Sequence, residues 1–122
     1  MMPITLAQLL ALATAVMAAP SSQERAAGHR GSVTYYHPGL GACEQVHGDR
    51  DMVGAVSKLR FDVSRPCGKR VRVRGPAGQA TITIVDRCDG CAHDDLDLSP
   101  AAFRQAIGDL GIGNTQAEWE WV

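Results

Sequence analysis

Alternation of apolar and polar positions carries most of the structural signal in this chain. In Lys69–Gly75 (KRVRVRG), Val71 and Val73 point one way and Arg70, Arg72 and Arg74 the other, which is the two-residue period of a half-exposed strand. Gln79–Asp86 (QATITIVD) repeats the pattern with Ile82 and Ile84 on one face, and Pro76–Gly78 between the two reads as a hairpin turn. Gly31–Tyr36 (GSVTYY) is rich in β-branched and aromatic residues and stops before Pro38-Gly39. Met52–Ser57 is a shorter strand candidate, and Glu118–Val122 (EWEWV) alternates as a last one. A single helical pattern stands out. Ser99 is its N-cap, Pro100 its first residue, and Phe103, Ala106, Ile107 and Leu110 its apolar stripe, with Gly111 as the stop. Several short strands with one helix predict a small, mainly β barrel rather than a sandwich or a helical bundle.

The amino-terminal end has a different character. Met1–Pro20 has no charged side chain and is largely apolar from Ile4 to Ala19, yet it is too short and alanine-rich for a comfortable membrane span. Val16-Met17-Ala18 supplies small residues for cleavage, so residues 1–18 read as a secretory signal peptide, although no Lys or Arg precedes the apolar run. Residues 19–30 are expected to be a flexible segment and residues 31–122 the single folded domain. The four cysteines, Cys43, Cys67, Cys88 and Cys91, all follow the signal, and an even count in a secreted chain implies two disulfides. Spacing leaves three connectivities open.

Formal net charge is −1, which removes any global field for nucleic acid. The charge is unevenly spread: Lys58–Arg74 holds seven Lys/Arg against one Asp, while Asp86–Asp97 holds five Asp against one Arg. Either the two segments neutralise each other or they form the basic and acidic walls of one cleft.

The densest chemistry lies in Val85–Pro100 (VDRCDGCAHDDLDLSP). Cys88-x-x-Cys91 with His93 could furnish half a zinc site, but Cys43 and Cys67 are isolated singles in an oxidising setting. A thioredoxin-like pair needs its first cysteine at a helix N-terminus, whereas here aspartates crowd CDGC and the helix starts only after Ser99. Asp49-x-Asp51 and Gly54 begin an EF-hand pattern that fails at Val53 and Arg60. No serine stands in a nucleophile elbow. Carboxylate chemistry remains. Asp86 ends an apolar strand and Asp97 sits between Leu96 and Leu98, an environment that desolvates a carboxyl and suits a general acid. Both also have an ordinary reading, Asp97 as a cap for backbone N–H groups and Asp86 as a partner of Arg87.

Taken in order, GSVTYYHPGLGAC (Gly31–Cys43), DRDMVGAVS (Asp49–Ser57), CGKRVRV (Cys67–Val73), TIVDRCDGC (Thr83–Cys91), DLDLSPAAF (Asp95–Phe103) and the final WEWV resemble the rare-lipoprotein-A-like double-psi β-barrel family. Within it, they look most like the small expansin-like loosenins of fungi. The resemblance implies a six-stranded double-psi barrel with one short helix, two disulfides and an open groove. It also implies a secreted, monomeric protein that loosens cell-wall glycan (cellulose, chitin or peptidoglycan) without hydrolysis, without a metal or other cofactor, and without nucleic-acid or membrane partners.

By the same resemblance, Asp97 matches the family's acidic residue, Asp86 its strand-ending aspartate, and Thr34 and Tyr36 its groove-lining segment. Analogy with expansins pairs Cys43 with Cys67 and Cys88 with Cys91. The chain departs from the pattern at Leu96, where a histidine is usual, at Glu44, which adds a charge at the groove end, and at His47. No residue matches the second carboxylate with which related glycosidases activate water, and an inverting mechanism needs two. The aromatic binding face of two-domain expansins also has no counterpart, so glycan binding should be weak. Two alternatives stay open: a lytic glycosidase or transglycosylase using Asp97 as general acid, and a protein-binding module such as a cysteine-protease inhibitor.

Overall fold

Six strands close into a barrel in the computed structural model, which describes residues 28–122. The expected signal segment lies outside the described residues. The strands are β1 (His29–Tyr35), β2 (Val53–Ser57), β3 (Arg70–Gly75), β4 (Gly78–Cys88), β5 (Leu96–Leu98) and β6 (Thr115–Trp121), joined in the order β1-β5-β2-β4-β3-β6. The β1/β5 and β2/β4 pairs are parallel and the others antiparallel, so neighbours in the barrel are mostly not neighbours in sequence.

The alternation read from the sequence sets the inside and the outside. Val71 and Val73 of β3, Ala80, Ile82 and Ile84 of β4 and Val33 of β1 are buried in one core with Leu96, Leu98 and Trp119. Arg70, Arg72 and Arg74 face outward, as their half of the period requires. Pro76 and Ala77 make the two-residue turn between the paired Gly75 and Gly78. Closure leaves no sheet edge open to a neighbouring chain.

Three elements depart from expectation. Among the described residues there are two α-helices rather than one: α1 (Lys58–Ser64) follows β2 directly, and α2 (Pro100–Ala106) is the helix anticipated after Ser99. α1 gave little signal because only Phe61 of its seven residues is buried, while Leu59 and Val63 face solvent. Its start is nonetheless capped, as the Ser57 hydroxyl accepts from the Leu59 N–H at 3.1 Å. α2 is shorter than predicted. Gly108 adopts φ +129° and donates to the Phe103 carbonyl at 3.1 Å, which closes the helix four residues before Leu110. Leu110 opens a separate 3-10 turn, Leu110–Ile112. Finally, Leu96–Leu98 forms a short strand, β5, that the alternation did not mark.

Candidate functional site

The short strand β5 brings the candidate residues together. Asp97 pairs in register with Thr34 on one side and Ala55 on the other, and Ala55 in turn pairs with Asp86 of β4. Thr34, Asp97, Ala55 and Asp86 thus form one row across four strands. With strands about 4.8 Å apart, the two aspartate Cα atoms lie roughly 10 Å from each other on the same face.

That face is not the one simple alternation assigns to Asp86. Ile82 and Ile84 point inward, so a regular strand would bury Asp86 as well. The register between β2 and β4 slips at Gly54/Ala55: Gly54 pairs with Ile84 and Ala55 with Asp86. The slip inserts Val85 as an extra buried residue and turns Asp86 outward, the re-aiming a β-bulge performs. Gly54 makes this possible. A Cβ there would lie 2.7 Å from the Ile82 side chain and 2.9 Å from the Asp97 carbonyl oxygen.

Each carboxylate is held in its own way. The Thr34 hydroxyl donates to Asp97 Oδ1 at 2.9 Å. Burial pushes the Asp97 pKa above the ordinary carboxylate range; the Thr34 hydrogen bond opposes that rise and the Asp86 charge adds to it. Asp86 Oδ1 accepts two backbone N–H groups, from Ala42 at 2.9 Å and from Arg87 at 2.8 Å. Tyr36 extends β1 by donating its N–H to the Leu98 carbonyl at 2.9 Å. Its hydroxyl is buried, faces the two aspartates and makes no hydrogen bond of ordinary geometry. Burial, followed by the charges of Asp86 and Asp97, raises the phenol pKa, so Tyr36 stays a proton donor throughout the physiological range.

The adjoining loop walls the groove. Asp97 and Thr34 open onto a cleft of about 510 Å³ lined also by Ser32, Asp89, Asp95 and Asn114. Cys88 and Cys91 form a disulfide that closes the turn after β4, and Ser57 Oγ donates to the Cys91 carbonyl at 3.1 Å. Cys43 and Cys67 form the other, tying the loop above Asp86 to the start of the β3–β4 hairpin. Both pairings are the ones the expansin analogy implied.

Three residues of the loop before β5 are engaged. Asp95 accepts the Ser32 N–H at 3.0 Å and the Ala92 N–H at 2.9 Å, fixing the loop against β1. Asp94 is paired with Arg60 of α1, and the Arg60 Nε–H donates to the His93 carbonyl at 2.9 Å. The His93 ring sits 3.0 Å from Asp94. The basic and acidic segments therefore meet only in part. Arg60 and Lys58 reach Asp94 and Asp89, while Arg72 and Arg74 turn to Glu120 of β6. Nothing in the sequence singled out Arg60 or the Gly54 bulge, because both act through contacts distant along the chain.

Comparison with known proteins bears out the fold. The family described as lytic transglycolase, a double-psi β-barrel family, matches residues 28–119. A putative ripening-related protein of rice (Oryza sativa subsp. japonica) is 32% identical over 98 residues, covering 69% of this chain and 60% of the relative. Among solved structures, a point mutant of the Clavibacter michiganensis expansin in complex with cellohexaose superposes with TM-score 0.69 at 33% identity, covering 78% of this chain and 50% of the expansin. A Streptomyces papain inhibitor gives the same TM-score at 25% identity and is covered over 94% of its length. The chain thus spans 60% of the rice relative and half of the expansin. On the match over residues 28–119, the chain belongs to the double-psi β-barrel family described as lytic transglycolase, with the expansins among its structural kin.

Proposed function

We propose that this is a secreted expansin-like protein that binds cell-wall polysaccharide in the groove across β1, β5, β2 and β4 and loosens it without cutting the chain. The row Thr34–Asp97–Ala55–Asp86 carries the reading: a desolvated acid with a hydroxyl partner, a small floor residue, and a second carboxylate one sugar-sized step away. Asp97 is the essential acid, and Thr34, Tyr36 and Asp86 place the sugar. The expansin relative bound to cellohexaose supports a glycan as the ligand. Two disulfides and the signal-like leader support an extracellular setting.

Absence of cleavage is supported by the missing base: no residue matches the second carboxylate with which related glycosidases activate water, and an inverting mechanism needs two. The test is co-sedimentation with insoluble cellulose, chitin and peptidoglycan, wild type against Asp97→Ala, alongside an assay for new reducing ends. Binding by wild type that the variant loses, with no new ends, is expected. New ends that disappear in Asp97→Ala would establish the lytic reading instead.

A second reading rests on one observation, the coverage of nearly the whole papain inhibitor. Inhibition of papain that survives Asp97→Ala would move function from the groove to another surface.

A further inference from the structure

Among the described residues, five acids pair with lysine or arginine, whereas Asp86, Asp95 and Asp97 do not. Asp62 pairs with Arg87 at 2.8 Å, Asp89 with Arg87 at 3.1 Å and Lys58 at 3.8 Å, Asp94 with Arg60, Glu118 with Arg30 at 3.5 Å, and Glu120 with Arg72 at 2.8 Å. Arg87 is the one basic residue lining the cleft, and Asp62 and Asp89 occupy its guanidinium from both sides. Asp86, Asp95 and Asp97 have no basic partner within salt-bridge distance among the described residues. Neutral donors hold them instead: backbone N–H groups for Asp86 and Asp95, and the Thr34 hydroxyl for Asp97. Glu44, in the loop over Asp86, also lacks a basic partner among the described residues. Asp51 and Asp109 likewise accept only neutral donors, backbone N–H groups, so what distinguishes the groove is that three such carboxylates, Asp86, Asp95 and Asp97, come together there.

Burial is the main cause of the raised pKa of Asp97 and of Tyr36, and the Asp86 charge adds to both. A point cation does not suit the groove. Among the described residues, no three His, Cys, Asp or Glu side chains converge closely enough to hold one metal ion. The acids are spread over β4, β5 and the loop before β5, with Asp86 and Asp97 two strands apart. A line of separated carboxylates matches a linear polymer that carries its positive charges at intervals.

Accordingly, we propose that the groove selects a glycan with free amino groups, a partly or fully deacetylated chitin, over its N-acetylated and neutral counterparts. The ammonium groups of glucosamine units sit against Asp86, Asp97 and Asp95, and Glu44 extends the acidic track past Asp86. This inference rests on the glycan-binding reading above and names the sugar class for the same site. The net charge of −1 is too small to attract a polycation at a distance, so the preference is local to the groove.

The test is a calorimetric comparison, on the full folded domain at pH 6 and low salt, of three hexasaccharides: glucosamine, N-acetylglucosamine and glucose. The glucosamine hexamer is expected to bind about tenfold tighter than the other two, the scale of a few exposed ion pairs acting together. That advantage should shrink severalfold at 0.5 M salt, where the Debye length falls to roughly 4 Å. Glu44→Gln, at an exposed loop position, should narrow the preference, and Asp95→Asn should narrow it further. Circular dichroism and melting of each variant confirm that it is folded. Equal binding of all three sugars would overturn the amine preference and leave the glycan-binding reading standing. Binding of none would overturn both. Equal competition by oligolysine would show a general polycation groove and overturn the assignment to a sugar.

Discussion

The two sides of the barrel treat charge in opposite ways. On the β3–β6 side the strands are antiparallel, and arginines face glutamates: Arg72 stands opposite Glu120, and Arg74 opposite Glu118. Arg30 of β1 continues the ladder by pairing with Glu118. On the β1-β5-β2-β4 side, which holds both parallel pairs, the row contains Thr34, Asp97, Ala55 and Asp86 with no basic residue. Long, regular, compensated strands hold the closure. The other side is then free to keep a bulge, a three-residue strand and desolvated acids, features that contribute little to stability and suit the proposed binding groove.

If this division holds, the largest loss of stability comes from the ladder side and leaves groove chemistry largely intact. Trp119 of β6 is 2% exposed, its indole N–H donates to the Asp94 carbonyl at 2.8 Å, and Arg60 lies over its ring. Trp119→Ala should cost about 3–5 kcal/mol in urea unfolding. Glycan binding by the fraction still folded should fall only modestly, because Trp119 reaches the groove loop only through the Asp94 carbonyl and Arg60. A loss of tenfold or more would mean that the two sides are not separable.

The disulfides sharpen the same contrast. Cys43–Cys67 spans a sequence separation of 24, and replacing both cysteines with serine should cost about 3 kcal/mol in the chain-entropy picture. Cys88–Cys91 spans a separation of three and restrains much less unfolded chain. Its removal should lower the melting temperature far less but weaken glycan binding more, since its turn lines the cleft beside Asp97. Melting curves paired with binding isotherms for the two double variants decide the matter. The reverse order of effects would break the comparison.

The ladder side was the more readable one. Val71, Val73, Ile82 and Ile84 announce their strands by a strict two-residue period, because a sheet with one wet face writes its burial directly into local sequence. On the groove side the strands at Gly31–Tyr36 and Met52–Ser57 and the candidate acids Asp86 and Asp97 were readable from the residues, but β5 and the row that joins them were not. Leu96–Leu98 is too short to show a period, and parallel pairing joins residues far apart in the chain, such as Thr34 with Asp97. At Asp86 the period actively misleads, since the slip at Gly54/Ala55 reverses its face. Arg60 and Asp95 hold the groove loop through bonds to His93, Asp94, Ser32 and Ala92, contacts that no local pattern encodes.

Asp97 tests whether the groove trades stability for binding. Its pKa is raised in the folded state, so it favours folding most when protonated, and that contribution is lost as pH rises through the folded pKa. Asp94 has the opposite sign. Arg60 lowers its pKa, and its contribution is lost as pH falls. The wild-type profile mixes the two, but the difference between wild type and Asp97→Asn isolates Asp97. The variant should be at least as stable as wild type at pH 7, with the difference shrinking toward pH 4, and glycan affinity should drop by tenfold or more, roughly the 1.4 kcal/mol of one good hydrogen bond. A variant less stable at pH 7 would show that Asp97 is a structural cap.

The smallest effect belongs to the ladder itself. Glu120 meets Arg72 at 2.8 Å and Arg74 at 3.4 Å, but these side chains are a third to a half exposed. Exposed pairs of this kind are worth about 0.2–1 kcal/mol each and are screened by salt. Glu120→Gln should therefore lower stability by less than about 1 kcal/mol in low salt, and by nearly nothing at 1 M salt, where the Debye length is about 3 Å. The same change leaves Arg72 and Arg74 unpaired and adds positive charge to the face away from the groove. Because that charge is screened before it reaches Asp86 and Asp97, glycan affinity at 0.15 M salt should not move. A change in affinity would mean that the compensated side tunes the uncompensated one through the barrel.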